Sequence, residues 1–294
     1  MIRALLAWQT RAVLYRHWRV WRRTWHLGFL PPVLEPLLYF GVFGLGVGAL
    51  VGAFATPHGT LAYADYLAAG VVAVSLLYQS FFEGLYGSYV RMFYQRTFDA
   101  QLATPVQMEH VVWGEILWAA LKGLLSAFCV LLVLIALALA GQLSIHLWAL
   151  APIAFAGFLA GVAFGAGALL FTAKVPHIDF MNYPVFLIAV PLALLSDTYF
   201  PFSTLHPVAH ALSQLNPVYH LTQIVRDTLT WGRWTTSDTL GLGVLGAYAV
   251  GLSAVALRWM HERVLGEPYR PRRTPAHMRA PAEVQSPRCW AESA

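Results

Sequence analysis

The sequence predicts an all-α integral membrane protein with six transmembrane helices, an N-terminal interfacial helix and re-entrant or interfacial half-helices before the last span. Of its 294 residues, 58% are hydrophobic and only 11% are charged, whereas soluble domains carry ~25% charged residues. Six long apolar segments each approach the ~20 residues that cross a bilayer. The basic residues also cluster at alternate connections between these segments, which is typical of a multi-pass membrane protein.

Residues 1–28 are predicted to form an amphipathic helix on the cytoplasmic side of the membrane interface. Six arginines and no acidic residue occur within the first 26 positions. Apolar side chains recur at helical spacing on one face, at Leu14, Trp18, Trp21 and Trp25. The opposite face carries Arg16, Arg19 and Arg23. Tryptophan anchors such a helix at the interface while arginine meets anionic headgroups. The alternative is a juxtamembrane flank without a fixed orientation.

The transmembrane domain is predicted over residues 29–265. Its spans are expected near residues 29–53, 66–90, 111–140, 147–173, 178–200 and 240–260. Sixteen of the nineteen lysines and arginines lie in the N-terminal flank, the connections after the second and fourth spans, and the C-terminal tail. The alternate connections hold only Arg226 and Arg233, so both termini are predicted to be cytoplasmic. This distribution also explains the basic net charge without a nucleic-acid partner.

Two further segments depart from regular spans. The section from Pro201 to Asp238 is too apolar for a solvated loop, and prolines interrupt it too often for a full crossing. Short re-entrant or interfacial helices fit such a section best. Residues 266–294 contain five prolines among mixed charges, which predicts a disordered cytoplasmic tail.

The sequence offers no nucleotide, metal or catalytic site. A phosphate-binding loop needs Gly-Lys-Ser/Thr, but Lys122 is followed by glycine and Lys174 by valine. If ATP drives this protein, another polypeptide therefore binds it. His206 and His210 share a helical face, but no glutamate follows the first of them, so they do not match a metalloprotease motif. We predict no metal, no cofactor and no catalytic residue in this chain.

Ionisable side chains inside predicted spans are costly and mark candidate functional positions. They are Glu35, Glu83, Glu115, Lys122 and Asp197. Glu115 and Lys122 lie two helical turns apart on one face, so they could share an intramembrane polar network through neighbouring helices. Glu35, beside Pro36, and Glu83 are candidates for a substrate path, and Asp197 is expected to reach the outer interface. For each residue the alternative is structural packing or snorkelling to the interface.

An aromatic stripe follows the second span. Tyr78, Phe82, Tyr86, Tyr89 and Phe93 are spaced so that they share a helical face, which Glu83 borders. Aromatic faces stack on sugar rings, so the stripe could line a path for an amphipathic or carbohydrate substrate. Packing against helices or lipid is the alternative.

Several ordered motifs together resemble the transmembrane subunits of type-2 ABC exporters over roughly residues 10–265. They include Gly-Leu-Gly-Val-Gly at 44–48, Tyr-Leu-Ala-Ala-Gly at 66–70, Arg-Thr-Phe-Asp-Ala-Gln-Leu-Ala-Thr-Pro at 96–105, Gly-Glu-Ile-Leu-Trp-Ala-Ala-Leu-Lys-Gly at 114–123, and the stretch 200–227 with Asn-Pro at 216–217. Within that family the sequence is most similar to the NodJ type, permeases that partner an ATPase to export lipo-chitooligosaccharide nodulation signals. The proline-rich tail departs from that type.

The resemblance implies a permease subunit of the bacterial inner membrane, not an enzyme. A separate ATPase subunit would bind ATP and Mg²⁺, and a second permease copy would complete the path for a glycan, lipo-oligosaccharide or other amphipathic cargo. The section 201–227 would cap the exit. A cytoplasmic coupling helix would dock on the ATPase through Arg96, Thr97, Phe98, Asp99, Ala100 and Leu102.

Two other classes remain open from the sequence. A secondary transporter or channel would use the buried carboxylates, but no inverted repeat is evident. A polytopic lipid- or glycan-modifying enzyme would need a catalytic cluster in a loop, and none is found. The sequence leaves open the cargo, the choice between homodimer and heterodimer, the role of the tail, and whether the aromatic stripe lines the path or packs.

Overall fold

The computed structural model describes residues 2–56, 59–141 and 143–266 of the protein, and the predicted tail beyond Gly266 lies outside the described residues. Its α-helices are α1 (Ile2–Leu5), α2 (Trp8–Tyr39), α3 (Gly48–Val51), α4 (Tyr63–Phe82), α5 (Thr97–Leu102), α6 (Met108–Leu139), α7 (Leu150–Lys174), α8 (Asn182–Pro184), α9 (Val190–Leu194), α10 (Pro207–Leu215), α11 (Pro217–Leu229) and α12 (Thr236–Leu265). Wider π-helical turns lie at Phe40–Val47, Glu83–Gly87, Val90–Tyr94 and Val185–Ala189, and 3₁₀ turns at Leu147–Ala149, Ile178–Met181 and Phe202–Thr204.

The N-terminal region forms one long helix. Helix α2 runs through residues 28 and 29 without interruption, although the sequence predicted the border between interfacial helix and first span there. Its inner face buries Val13 and His17, whereas Trp18 and Trp25 are about half exposed. The tryptophan face is thus available for contact with lipid, and its orientation in the membrane stays a prediction.

A short antiparallel β-hairpin, which the sequence reasoning did not identify, joins this region to α4. Strand β1 (Ala53–Thr56) pairs with β2 (Gly59–Ala62), with Ala53 opposite Ala62 and Thr56 opposite Gly59. Gly52 precedes β1 with a φ angle of 73°, and Gly59 begins β2 with a φ angle of 131°. Glycine adopts positive φ angles without steric cost. Strands of four residues carry too little periodicity to be detected in a sequence.

Four helical segments are long and apolar enough to cross a membrane: Tyr63–Tyr94, Met108–Leu139, Leu147–Lys174 and Thr236–Leu265. The first and fifth predicted spans correspond to the shorter apolar segments Phe40–Val51 and Ile178–Leu194. Pro184 and Pro191 divide the fifth into short helical pieces, because proline cannot donate the backbone hydrogen bond that continues a helix. The structure supports a multi-pass helical bundle, and the count of six crossings stays a prediction.

Small residues bring the central helices close together. A Cβ atom built on Gly161 of α7 would lie 2.9 Å from Ala120 Cα of α6, and one on Gly165 would lie 2.8 Å from Ala119 Cβ. The small-residue pattern of α7 therefore marks a tight helix interface. Gly44 and Gly48 show a similar spacing but do not mark a tight interface. A Cβ atom on Gly44 would meet only the Phe40 ring, and one on Gly48 would lie at ordinary contact distances.

The proline-rich section before the last span forms the two short helices α10 and α11. Asn216 starts α11, since its Oδ1 accepts a hydrogen bond from Val218 N at 2.9 Å while its Nδ2 donates to Leu192 O at 2.7 Å. His206 similarly starts α10, because its Nδ1 accepts from Val208 N at 3.2 Å. Most of α11 is buried between α4, α7 and α12. Whether these helices re-enter the membrane stays a prediction.

We expect Gly161→Val to lower the midpoint of thermal unfolding of the detergent-purified protein by the equivalent of about 1–3 kcal/mol, because the added atoms force α6 and α7 apart. The matched control is Gly243→Val in α12, where a Cβ atom would meet nothing within 4 Å. Equal midpoints for the two variants would contradict the close α6–α7 contact.

Candidate functional site

A buried guanidinium group joins two of the acidic residues that the sequence singled out. Arg91 Nη2 lies 2.5 Å from Glu115 Oε2, and its Nε lies 2.9 Å from the same oxygen. Arg91 Nη1 donates to Glu83 Oε1 at 2.7 Å. The side chain of Arg91 is 13% exposed, and those of Glu83 and Glu115 are 8% and 0% exposed. Charge-assisted bonds of this kind are strong where water is scarce.

Lys122 extends the network along α6. Its Nζ donates to Glu83 Oε2 at 2.7 Å, so Glu83 is shared between one lysine and one arginine. Glu115 and Lys122 of α6 are therefore linked indirectly. Glu115 pairs with Arg91, Arg91 pairs with Glu83, and Glu83 pairs with Lys122. Ser88 Oγ donates to Glu115 Oε2 at 2.7 Å and accepts from Arg91 Nη2 at 3.3 Å.

The N-terminal helix is attached to this network by His17. Its Nε2 lies 3.2 Å from Glu115 Oε1, within ion-pair distance. Its ring stacks on Trp118 of α6 with centroids 5.4 Å apart and an angle of 13° between the planes. The network therefore connects the N-terminal helix and the second and third spans, three elements that are distant in sequence.

Sequence reasoning assigned Arg91 to the loop after span two and missed its role. In the structure the helix continues to Tyr94 through two π-helical segments, so Arg91 lies inside the protein. The sequence did contain a signal for this ion pair, because Glu83, Gly87 and Arg91 are spaced four residues apart and therefore share a helical face. A Cβ atom on Gly87 would lie 2.7 Å from Glu83 Oε1 and 3.1 Å from Arg91 Nη1. Glycine at this position leaves space for the ion pair.

The predicted coupling helix is present as α5 and is tied to the network through the backbone. Arg96 precedes it in the left-handed conformation, with φ 49°. Thr97 Oγ1 donates to the Arg91 carbonyl oxygen at 3.0 Å. A displacement of α5 would therefore act directly on the residue that holds Glu83 and Glu115.

The six residues of the predicted docking surface do not all face outward. Asp99 and Ala100 are exposed, as is Arg96, and Thr97 and Leu102 are partly buried. Phe98 is fully buried in a cluster with Met92 and Met108. The ring of Phe98 holds α5 against the bundle, so it does not present a contact surface to a partner.

The aromatic stripe divides into two parts with different surroundings. Tyr78, Phe82 and Tyr86 form a ladder with successive ring centroids 6.0 and 5.9 Å apart. Tyr89 is 3% exposed and packs on Phe93 with centroids 4.4 Å apart. The π-helical turn Glu83–Gly87 lies between Phe82 and Tyr89 and changes the angular step per residue, so aromatics placed on one face by α-helical spacing differ in their surroundings.

Two tyrosine hydroxyls fix this region to the connection after span four and to α8, at the start of the fifth apolar segment. Tyr86 Oη donates to Asn182 Oδ1 at 2.7 Å, and Tyr89 Oη donates to Pro176 O at 2.9 Å. Tyr86 also lines a cavity of about 370 Å³ together with Glu83, Arg91 and Lys122. Among the proposed path residues, Glu83 and Tyr86 line this cavity, and the side chain of Glu35 lies outside the described residues.

A second buried polar cluster lies where α11 meets α4. Arg226 Nη2 donates to the Asp197 carbonyl oxygen at 2.6 Å, and its guanidinium lies 3.9 Å from the centre of the Tyr66 ring. Asp197 is 3% exposed with φ 56°, so the expectation that its side chain reaches the outer interface is wrong. The left-handed turn after α9 directs this residue beneath α11, where Gln223 Nε2 lies 3.4 Å from Asp197 Oδ2.

Long apolar helices around a buried ion-pair network, with the short helix α5 tied to that network, are typical of a multi-pass membrane protein. Residues 9–230 match the family described as ABC-2 type transporter, and the chain belongs to that family. It is therefore a permease subunit of the inner membrane and not an enzyme.

Three relatives illustrate the similarity. Nodulation protein J of Sinorhizobium fredii is 32% identical over 222 residues, which are 76% of this chain and 81% of that protein. Nodulation protein J of Neorhizobium galegae is 30% identical over 260 residues, covering 88% of this chain and 95% of that protein. The inner membrane transport permease YadH of Escherichia coli is 24% identical over 208 residues, or 71% of this chain and 76% of that protein.

We expect Arg91→Ala to lower the thermal midpoint of the purified permease strongly, by the equivalent of ~3–5 kcal/mol, because it leaves Glu115 buried without its main partner. The control is Arg258→Ala. Arg258 forms an exposed pair with Glu262 at 3.0 Å, and removing such a pair costs less than ~1 kcal/mol.

A double variant separates charge from packing. Arg91→Met combined with Glu115→Gln removes both charges and keeps much of the volume, so we expect it to recover part of the midpoint lost in Arg91→Ala. If the double variant is as unstable as Arg91→Ala, the shape of the arginine matters more than its charge.

Proposed function

We propose that this chain is the membrane-spanning half of an ATP-driven exporter that moves an amphipathic glycan or lipo-oligosaccharide out of the cytoplasm. Membership of the ABC-2 family implies an ATPase in the assembled transporter. ATP and Mg²⁺ would be bound by that separate subunit, since this sequence has no phosphate-binding lysine motif. Two permease copies would form one path, and the cytoplasmic termini would lie on the ATPase side.

The observation that carries the proposal is the link from α5 to the buried network. ATP binding would draw the ATPase subunits together and displace α5 through its exposed residues. Thr97 holds the Arg91 carbonyl oxygen, and the Arg91 side chain holds Glu83 and Glu115. Motion of α5 would thereby reach the second and third spans and, through His17, the N-terminal helix. A rigid chain of strong contacts can transmit such a displacement between two packed states.

The same network argues against a secondary transporter that uses buried carboxylates. A carboxylate that carries a proton or ion must change partners during transport. Glu83 accepts from both Arg91 and Lys122, and Glu115 is held by Arg91, Ser88 and His17. Both acids are therefore engaged in structural pairing, which supports a mechanical role.

The cargo is proposed from the NodJ-type resemblance together with the aromatic ladder. Tyr78, Phe82 and Tyr86 present stacked rings along the second span, and Phe82 is 39% exposed. Flat aromatic faces suit both sugar rings and acyl chains. Helices α10 and α11 would cap the exit on the outer side, where Arg226 and Asp197 fix α11 to the end of the fifth apolar segment.

We expect Ala100→Trp to reduce the amount of ATPase that co-purifies with the permease by about tenfold, because a bulky exposed side chain on α5 blocks docking. Ala247→Trp is the matched control, since Ala247 is exposed on α12. Phe98→Ala should instead lower the stability of the permease itself, by about 3–5 kcal/mol, because Phe98 is a core residue. Undiminished ATPase recovery with Ala100→Trp would contradict docking through α5.

Tyr86 and Tyr89 should behave differently in transport. We expect Tyr86→Ala to reduce ATP-dependent uptake of a lipo-oligosaccharide into inverted membrane vesicles several-fold while the complex still assembles, because Tyr86 lines the cavity. Tyr89→Ala should lower assembly and transport together, because Tyr89 is buried. If Tyr86→Ala reduces assembly in proportion to transport, the ladder serves packing.

A further inference from the structure

One cation beside the network lacks a carboxylate of its own. The cavity of about 370 Å³ is lined by three cations, Arg16, Arg91 and Lys122, and by one acid, Glu83. Glu115 lies behind it, paired with Arg91. Arg91 and Lys122 satisfy the two glutamates. Two guanidinium nitrogens of Arg16, Nε and Nη2, are buried without a hydrogen-bond partner among the residues that the structure describes. Buried donors of this kind carry a substantial desolvation cost unless a ligand pairs with them.

A large apolar groove adjoins this cavity. It has a volume of about 610 Å³ and is lined by side chains of α2, α6 and α7, among them Trp18, Phe128 and Leu131. Trp18 and Phe128 are 48% and 50% exposed. The groove and the cavity share three lining residues, Trp21, Trp118 and Lys122. A single elongated molecule could therefore occupy both spaces, with a charged end at Arg16 and an apolar end in the groove.

We propose that this combined site binds an anionic phospholipid of the surrounding membrane, with its phosphate at Arg16 and an acyl chain along α6. The excess positive charge favours an anion, and bidentate arginine matches a phosphate in geometry and charge. Free phosphate would leave the groove unfilled, and a neutral lipid would leave Arg16 without a counter-charge. Tryptophan side chains at the junction suit the boundary between headgroup and acyl chain.

The bound lipid would strengthen the attachment of the N-terminal helix. Arg16 and Trp18 belong to α2 and Phe128 belongs to α6, so one lipid contacts both helices. The neighbouring residue His17 already joins α2 to the network. Tyr86 and Arg16 line the same cavity, so the lipid test uses the chain without cargo and without the ATPase, and its outcome is distinguishable from that of the proposed transport function.

The experiment is a titration of the full-length, detergent-purified chain with phosphatidylglycerol or phosphatidylcholine, read by native mass spectrometry. We expect saturable binding of one phosphatidylglycerol per chain, and about tenfold weaker binding in Arg16→Gln, because a charge-assisted contact is lost. Arg16→Lys should bind phosphatidylglycerol with an affinity between those of the original chain and Arg16→Gln, because lysine keeps the charge and loses the bidentate geometry. Arg19→Gln is the matched control, because Arg19 is an exposed arginine of the same helix that lies over the Tyr15 ring.

A second pair of variants tests the apolar part of the site. Ala154→Trp fills the groove that Ala154 lines, so it should weaken phosphatidylglycerol binding without any change of charge, whereas Ala247→Trp on α12 should not. Three results would overturn the proposal: equal binding of phosphatidylcholine, an equal loss with Arg19→Gln, or cross-linking of Phe128→Cys to a second permease copy in the membrane. The last result would show that another chain covers the groove.

Discussion

The arrangement of this permease depends on one buried arginine. Arg91 contacts Glu83 on its own helix and Glu115 on α6, and its backbone carbonyl accepts from Thr97 at the start of α5. Each carboxylate would be strongly unfavourable at this position without a cation, because ions lose most of their hydration there. The requirement to pair these charges therefore fixes the register of α4 and α6 and the position of α5 together.

Close packing allows the charges to meet. Gly87 leaves room for the ion pair between Glu83 and Arg91, and the glycines of α7 bring that helix to within van der Waals contact of α6. Because interiors of this kind are dense, a displacement at one point moves packed neighbours as a unit. A rigid inner bundle with an exposed α5 at one end is suited to receiving mechanical work from a separate ATPase.

Much of the candidate site follows from the sequence. Glu83, Glu115 and Lys122 stand out as ionisable residues in apolar surroundings, and the motif at 96–105 predicts a short helix, which the structure contains as α5; its coupling role stays a prediction. Two assignments required the structure. Arg91 lies beyond the apolar run and therefore resembled a loop residue, and Phe98 resembled a contact residue although it is fully buried. Neither burial nor the extension of a helix by π-helical turns can be deduced from hydropathy.

The sequence by itself determined that the chain is a membrane protein, because composition and the length of apolar segments depend only on local residue order. It also identified the proline-interrupted section before the last span, where α10 and α11 lie, and the acids that need partners. Only the tertiary structure decided which cation pairs with which acid, how the aromatic stripe divides, and that Arg16 lies beside an apolar groove. These features depend on contacts between helices that are distant in the chain, and helical periodicity specifies only which residues share a face.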